Sequence, residues 1–155
     1  NNLEIPLDSD FSDLVVSDGV IHHTGDTVRS FKECIRVLKP NGLLYLAVYK
    51  KYRYYPFLYK YVGVFLRILN KTKVGNFIME NTFVLLHFLM YKIFRKQKLI
   101  LQETRNIFYD YFITPIATFQ SKKDVESWLN DCTCTLEKYD RTNGNCHVFI
   151  IKKGE

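Results

Sequence analysis

No two cysteines form a C-x-x-C pair: Cys34, Cys132, Cys134 and Cys146 are scattered along the 155 residues. That spacing fits no usual zinc site and suits reduced thiols of a cytosolic protein. The first residues, Asn-Asn-Leu-Glu, contain no basic stretch leading into an apolar one, so they do not read as a signal peptide. They also lack a starting methionine, which suggests a fragment of a longer chain. No apolar run reaches the ~20 residues of a spanning helix uninterrupted. Lys60 and Arg67 break one candidate and Glu80, His87 and Lys92 the other, so no span is expected. Aromatic residues are plentiful, 11 Tyr and 12 Phe, which excludes disorder. The length suits one domain with a sizeable core.

The chain is organised around residues 11–24, Phe-Ser-Asp-Leu-Val-Val-Ser-Asp-Gly-Val-Ile-His-His-Thr. A short apolar run (Leu14, Val15, Val16) stops at Ser17-Asp18-Gly19 and a histidine pair, as a buried strand does when it empties into a polar, tightly turned loop. Ligands of open α/β sheets bind in the crevice outside the carboxyl ends of the strands, so groups following a strand directly are placed for chemistry. Residues 26–38 predict a helix: Asp26 or Thr27 caps it, and Val28, Phe31, Ile35 and Leu38 recur at helical spacing, opposite Arg29, Lys32, Glu33 and Arg36. Lys39-Pro40-Asn41-Gly42 then reads as a stop, and residues 43–49 as a second strand, apolar without alternation and therefore covered on both faces. Residues 3–10 read as a loop feeding the first strand, with fraying and order equally expected.

Residues 11–24, followed one helix length later by Arg-Val-Leu-Lys-Pro-Asn-Gly-Leu-Leu at 36–44, resemble the fourth and fifth strand motifs of class I S-adenosylmethionine-dependent methyltransferases. The direct resemblance covers residues 3–49, and a looser one residues 104–152. It implies an α/β fold: a partial Rossmann-like sheet carrying the family's fourth to seventh strands, with the last pair antiparallel and a helical insertion after the fifth. It also implies S-adenosylmethionine as cofactor. The family's glycine-rich cofactor loop and acidic ribose-binding residue have no counterpart in this sequence. Some quinone-pathway members carry acidic metal-binding residues in the loop where this chain has Gly19, His22 and His23, so metal dependence is not expected.

From Lys50 the character changes. Residues 50–98 contain eleven Lys or Arg against one acid, Glu80, a net of +10 in a chain of +6. The same segment holds blocks of Tyr, Phe, Leu and Ile, with Pro56 tolerable in the first turn of one helix and residues 70–76 as the break before another. Such a hairpin reads as a helical cap with solvated lysines, a substrate lid as the resemblance implies, or a peripheral contact with an anionic membrane surface. Nucleic acid is not expected, because the aromatics stand in apolar blocks rather than singly among arginines.

Residues 103–118 read as a connector back into the sheet domain, with Tyr109, Asp110 and Tyr111 able to line a pocket. Ser121 caps a helix over 121–129, Asp124 completes a capping box, and Trp128 belongs to the core. Residues 133–139, the turn signal Asn143-Gly144 and residues 147–151 predict a terminal hairpin rather than a metal cluster. The expected organisation is therefore 1–49 as core, 50–102 as helical insertion and 103–155 as the remaining core.

Methyl transfer from a sulfonium is an in-line displacement, needing alignment, water exclusion and a proton acceptor when the nucleophile is a hydroxyl or amine. His22 and His23 suit proton transfer, with Tyr109 and Tyr111 as further catalytic candidates, while Ser17, Asp18, Gly19, Val20 and His23 are expected beside the cofactor. The expected activity is methyl transfer to a small or lipophilic acceptor. The alternative is a non-catalytic piece or homologue whose basic, apolar helices form an interaction module.

Overall fold

The computed structural model describes residues 2–94, 98–142 and 144–155. They divide into two compact units, Asn1–Arg53 with Ile116–Glu155, and Tyr54–Pro115. The first is a four-stranded sheet of β1 (Ser12–Asp18), β2 (Leu38–Tyr49), β3 (Cys134–Asp140) and β4 (Cys146–Lys153), in the order β1-β2-β4-β3. β1 and β2 are parallel, joined through helix α1 (Thr27–Val37), and β4 runs antiparallel to both β2 and β3. This is the expected α/β sheet with an antiparallel last pair. Asn143 of the hairpin turn signal lies outside the described residues.

α1 begins where Asp26 Oδ1 accepts the Arg29 amide at 2.9 Å, and its apolar stripe faces the sheet. Phe31, Leu44, Leu46, Val48, Phe149 and Ile151 are fully enclosed, with Phe31 5.5 Å from the Trp128 ring. Burying each such side chain contributes about 1.5–3 kcal/mol. The stop signal behaves differently from expectation. Ser12 pairs with Leu38 but Leu14 pairs with Leu43, so residues 39–42 form an irregularity at the start of β2, with Asn41 at φ 65°. A Cβ on Gly42 would sit 2.9 Å from the Lys39 carbonyl, so the close backbone approach keeps glycine there.

One expectation for the sheet unit needs correction, and one open reading is decided. β2 is covered on both faces only towards its carboxyl end: Leu44, Leu46, Ala47 and Tyr49 are buried, whereas Leu43 near its start is 39% exposed and shares an open apolar groove with Leu14, Val16, Tyr45 and Ile150. Continuous apolarity signals two covered faces only where something packs on each. Residues 3–10, for their part, are tied down. Arg36 donates to the carbonyls of Leu7 and Ile5, both at 2.9 Å, and pairs with Glu33, whose carboxylate also accepts the Ile5 amide at 3.0 Å. The guanidinium, and next the Ile5 amide, hold the Glu33 carboxyl down at about 2.

The second unit is helical: α2 (Tyr54–Leu69), α3 (Lys73–Ile78), α4 (Leu85–Phe94) and α5 (Leu101–Phe108). A π-helical turn, Met79–Val84, makes α3 and α4 one continuous helix, and a second, Tyr109–Ile113, extends α5. The break between the first two helices is confined to residues 70–72, because Thr72 caps α3 by accepting the Gly75 amide at 3.0 Å. By length and composition Lys73–Phe94 is apolar enough to cross a membrane, so its isolated polar residues are too few to interrupt it as expected. Glu80, midway along it, is paired with Arg105 at 2.8 Å.

The insertion also ends later than residue 102. Tyr55 and Tyr59 donate to the carbonyls of Tyr111 and Thr114 at 2.9 and 3.0 Å, and Arg67 to that of Phe112 at 2.9 Å. Residues 103–113 are therefore packed helix of this unit and no connector. The chain then returns to the sheet unit, where helix α6 (Lys122–Asn130) carries the expected Ser121–Asp124 capping box.

Candidate functional site

β1 ends in a turn that only its glycine makes easy. Gly19 stands at φ 71°, its amide donating to the Ala47 carbonyl of β2 at 3.2 Å. A side chain there would be strained even though its Cβ would meet nothing nearer than His22 Cε1, at 4.0 Å. The turn sends the chain into a single 3-10 turn, Ile21–His23, which sets both histidines beside the end of β2.

There the rings form a cluster. His22 is fully buried, 3.7 Å between centroids from Tyr49 and 4.4 Å from His23; His23 meets Tyr49 edge-on at 5.4 Å. Phe119 stacks on Tyr49 at 6.0 Å. The segment before α6 clamps this arrangement: the Thr118 amide donates to the His22 carbonyl at 2.9 Å, and His23 Nδ1 lies 2.8 Å from the Ile116 carbonyl. A carbonyl only accepts, so Nδ1 carries the proton there and Nε2 is the basic nitrogen of neutral His23.

The candidates thus differ in role. His22 is a buried wall of the cluster, and half-buried His23 has its tautomer fixed. Ser17 is buried and its Oγ has no hydrogen-bond partner among the described residues, while Asp18 and Val20 are exposed at the same strand end. Tyr109 and Tyr111 stand in the helical unit. The Tyr109 hydroxyl donates to Glu80 at 2.6 Å and its ring lies under the Arg105 guanidinium; burial, then this bond to Glu80, raises its pKa. The Tyr111 ring packs 5.0 Å from Tyr55. Among the described residues no group of three or more His, Cys, Asp or Glu is placed to hold a metal.

Sequence reasoning missed Tyr49, Ile116, Thr118 and Phe119. Tyr49 carried a signal, an aromatic at the last position of an apolar strand; the other three lie some 90 residues from the histidines and carried none. Lys50 was missed in the opposite sense, counted among solvated cations. It is buried, and its Nζ donates to the carbonyls of Arg141, Thr142 and Gly144 at 2.8, 2.6 and 2.8 Å, stapling the hairpin; burial lowers its pKa.

Residues 1–46 match the family model of the methyltransferase domain. Solved structures agree along the whole chain. An S-adenosylmethionine-dependent methyltransferase of Methanosarcina mazei is 18% identical at a TM-score of 0.52, with 99% of this chain and 65% of that one covered. One of Thermotoga maritima is 13% identical at 0.50, with 99% and 61% covered. The fold is that of a class I methyltransferase. A Bordetella parapertussis protein described as a possible exported protein shares it at 12% identity and a TM-score of 0.54, covering 100% of this chain and 43% of that one. The chain therefore spans less than two thirds of these three structures. No curated protein matches the chain. The methyltransferase family's cofactor is S-adenosylmethionine, and β1, the Gly19 turn and the histidine pair lie within the matched residues.

Proposed function

We propose that the protein transfers the methyl group of S-adenosylmethionine to an oxygen, nitrogen or carbon of a small or lipophilic acceptor. The observation that carries this reading is the His22–His23–Tyr49 cluster at the carboxyl ends of two parallel strands, its two histidines within the residues that match the methyltransferase family. The residues present fit one wall of such a cofactor site. Ser17 Oγ is buried without a hydrogen-bond partner among the described residues, and the positive φ of Gly19 turns the backbone away at the strand end. Ser17, Asp18, Gly19 and Val20 would line the cofactor, with His23 beside them.

When bound, S-adenosylmethionine would supply an electrophilic methyl on a sulfonium, with S-adenosylhomocysteine as the leaving group. What the chain contributes is alignment and proton removal. His22, Tyr49 and Phe119 exclude water from one side of the cluster. With Nδ1 held by the Ile116 carbonyl, Nε2 is the His23 nitrogen left to take the proton of a hydroxyl or amine acceptor, and because that atom is enclosed here its neighbours must part for the acceptor to reach it. Proton removal needs neither Tyr109, whose hydroxyl is committed to Glu80, nor Tyr111, whose ring packs against Tyr55.

Titrating S-adenosylhomocysteine calorimetrically into the chain, and into a longer polypeptide with sequence added before Asn1, tests the reading. Binding by either supports it, and binding by neither overturns it. In the form that turns over, His23→Ala should lower kcat by ~10²-fold or more while changing cofactor affinity little. Unchanged kcat would remove His23 as the base.

A further inference from the structure

Helix α2 is apolar on two opposite faces. Tyr55, Tyr59, Gly63 and Leu66 are buried within the helical unit. Phe57, Tyr61, Val64, Phe65 and Ile68 follow one another at i, i+4, i+7, i+8 and i+11, so they form one stripe on the other side, 45–62% exposed. Water rarely faces so continuous an apolar stripe unless it is an interaction surface.

The charges around it choose the partner. Lys60 stands beside the stripe, its Nζ 5.7 Å from the Tyr61 ring centre, and Lys71 and Lys73 follow at its carboxyl end, all exposed. α2 contains no acid, and its remaining cation, Arg67, is turned inward onto the Phe112 carbonyl and the Tyr59 ring. Aromatic and aliphatic side chains edged by lysines are complementary to an anionic lipid interface, which takes rings at the headgroup level and attracts cations. At 16 residues, ~24 Å, the helix is too short to span a bilayer core and long enough to lie in its surface.

We propose that α2 docks the protein on an anionic membrane surface, lying in the plane of the interface with Phe57, Tyr61, Val64, Phe65 and Ile68 inserted. A lipophilic methyl acceptor would then be met at the surface that holds it, but the docking itself does not depend on methyl transfer.

Co-sedimentation of the full chain with vesicles of phosphatidylglycerol and phosphatidylcholine in equal parts, or of phosphatidylcholine alone, tests this without cofactor. Failure here therefore leaves the methyltransferase reading intact. The chain should pellet with the anionic vesicles at low salt and much less with the neutral ones. The double change Phe57→Ser with Phe65→Ser should weaken partitioning on the order of a hundredfold. Lys60→Glu with Lys71→Glu should weaken it at least ~20-fold and flatten its salt dependence. Phe11→Ser, an exposed phenylalanine of the sheet unit, should bind as the unaltered chain does. Circular dichroism verifies that each variant is folded. No sedimentation with anionic vesicles, equal sedimentation by the folded double phenylalanine variant, or a dimer in sedimentation velocity that only this variant loses would each overturn the proposal, the last by assigning the stripe to a second copy.

Discussion

Acidification should destabilise the sheet unit through one histidine. His147 on β4 is 8% exposed, with Nδ1 2.8 Å from the Tyr139 hydroxyl. Burial first, then the positive charges of Lys50 and Arg141, lower its pKa from 6.5 to about 4. A base whose folded pKa is depressed binds its proton more readily when unfolded. Its contribution is therefore complete above pH ~6.5, falls as the pH drops towards ~4 and is constant below. At ~1.36 kcal/mol per pH unit, the fall from pH ~7 to ~5 amounts to about 2 kcal/mol. Urea unfolding of the unaltered chain and of His147→Gln at those two pH values isolates the term, since every other residue is common to both. The variant should lose about 2 kcal/mol less than the unaltered chain between the two. Equal losses, or an NMR titration placing His147 near its ordinary pKa, would refute the reasoning.

The remaining expectations concern the scaffold. Phe31→Ala should cost about 3–5 kcal/mol, read as a lowered urea midpoint, because an enclosed ring leaves a cavity against Trp128. Glu33 has a depressed folded pKa, so its hold on residues 3–10 is complete above pH ~4.5 and is lost as the pH falls towards ~2; protection of the Ile5 amide, relative to its intrinsic exchange rate at each pH, should fall through that window and already be low in Arg36→Ala. Gly75→Ala would drive its Cβ into the Leu69 carbonyl, so the start of α3 must shift; the thermal midpoint should drop clearly, and an unchanged midpoint would contradict this geometry.

The strand–helix–strand unit was legible because each of its signals is local. Asp26 caps its own helix, Phe31 and Ile35 mark one face by spacing, and Ser17-Asp18-Gly19 ends a strand with a residue free to take positive φ. The terminal hairpin and the capped α6 were legible for the same reason. Residues 103–115 were not. Their aromatic mixture suits a connector or a helix equally, and what decides is that Tyr55, Tyr59 and Arg67 donate to their carbonyls from some 45–56 residues away.

The sequence by itself determined the family resemblance, the identity of the strand-end loop and the local excess of positive charge, since composition and spacing along the chain are sufficient for each. Only the tertiary structure decided which charges meet solvent. Lys50 and Arg67 are spent on backbone carbonyls inside the two units, whereas Lys60, Lys71 and Lys73 remain exposed. It alone joined His23 to Ile116 and Tyr49 to Phe119, fixing a tautomer and a wall. Those contacts span 70 to 93 residues of chain, and a pattern that repeats every two or four residues carries no information at that distance.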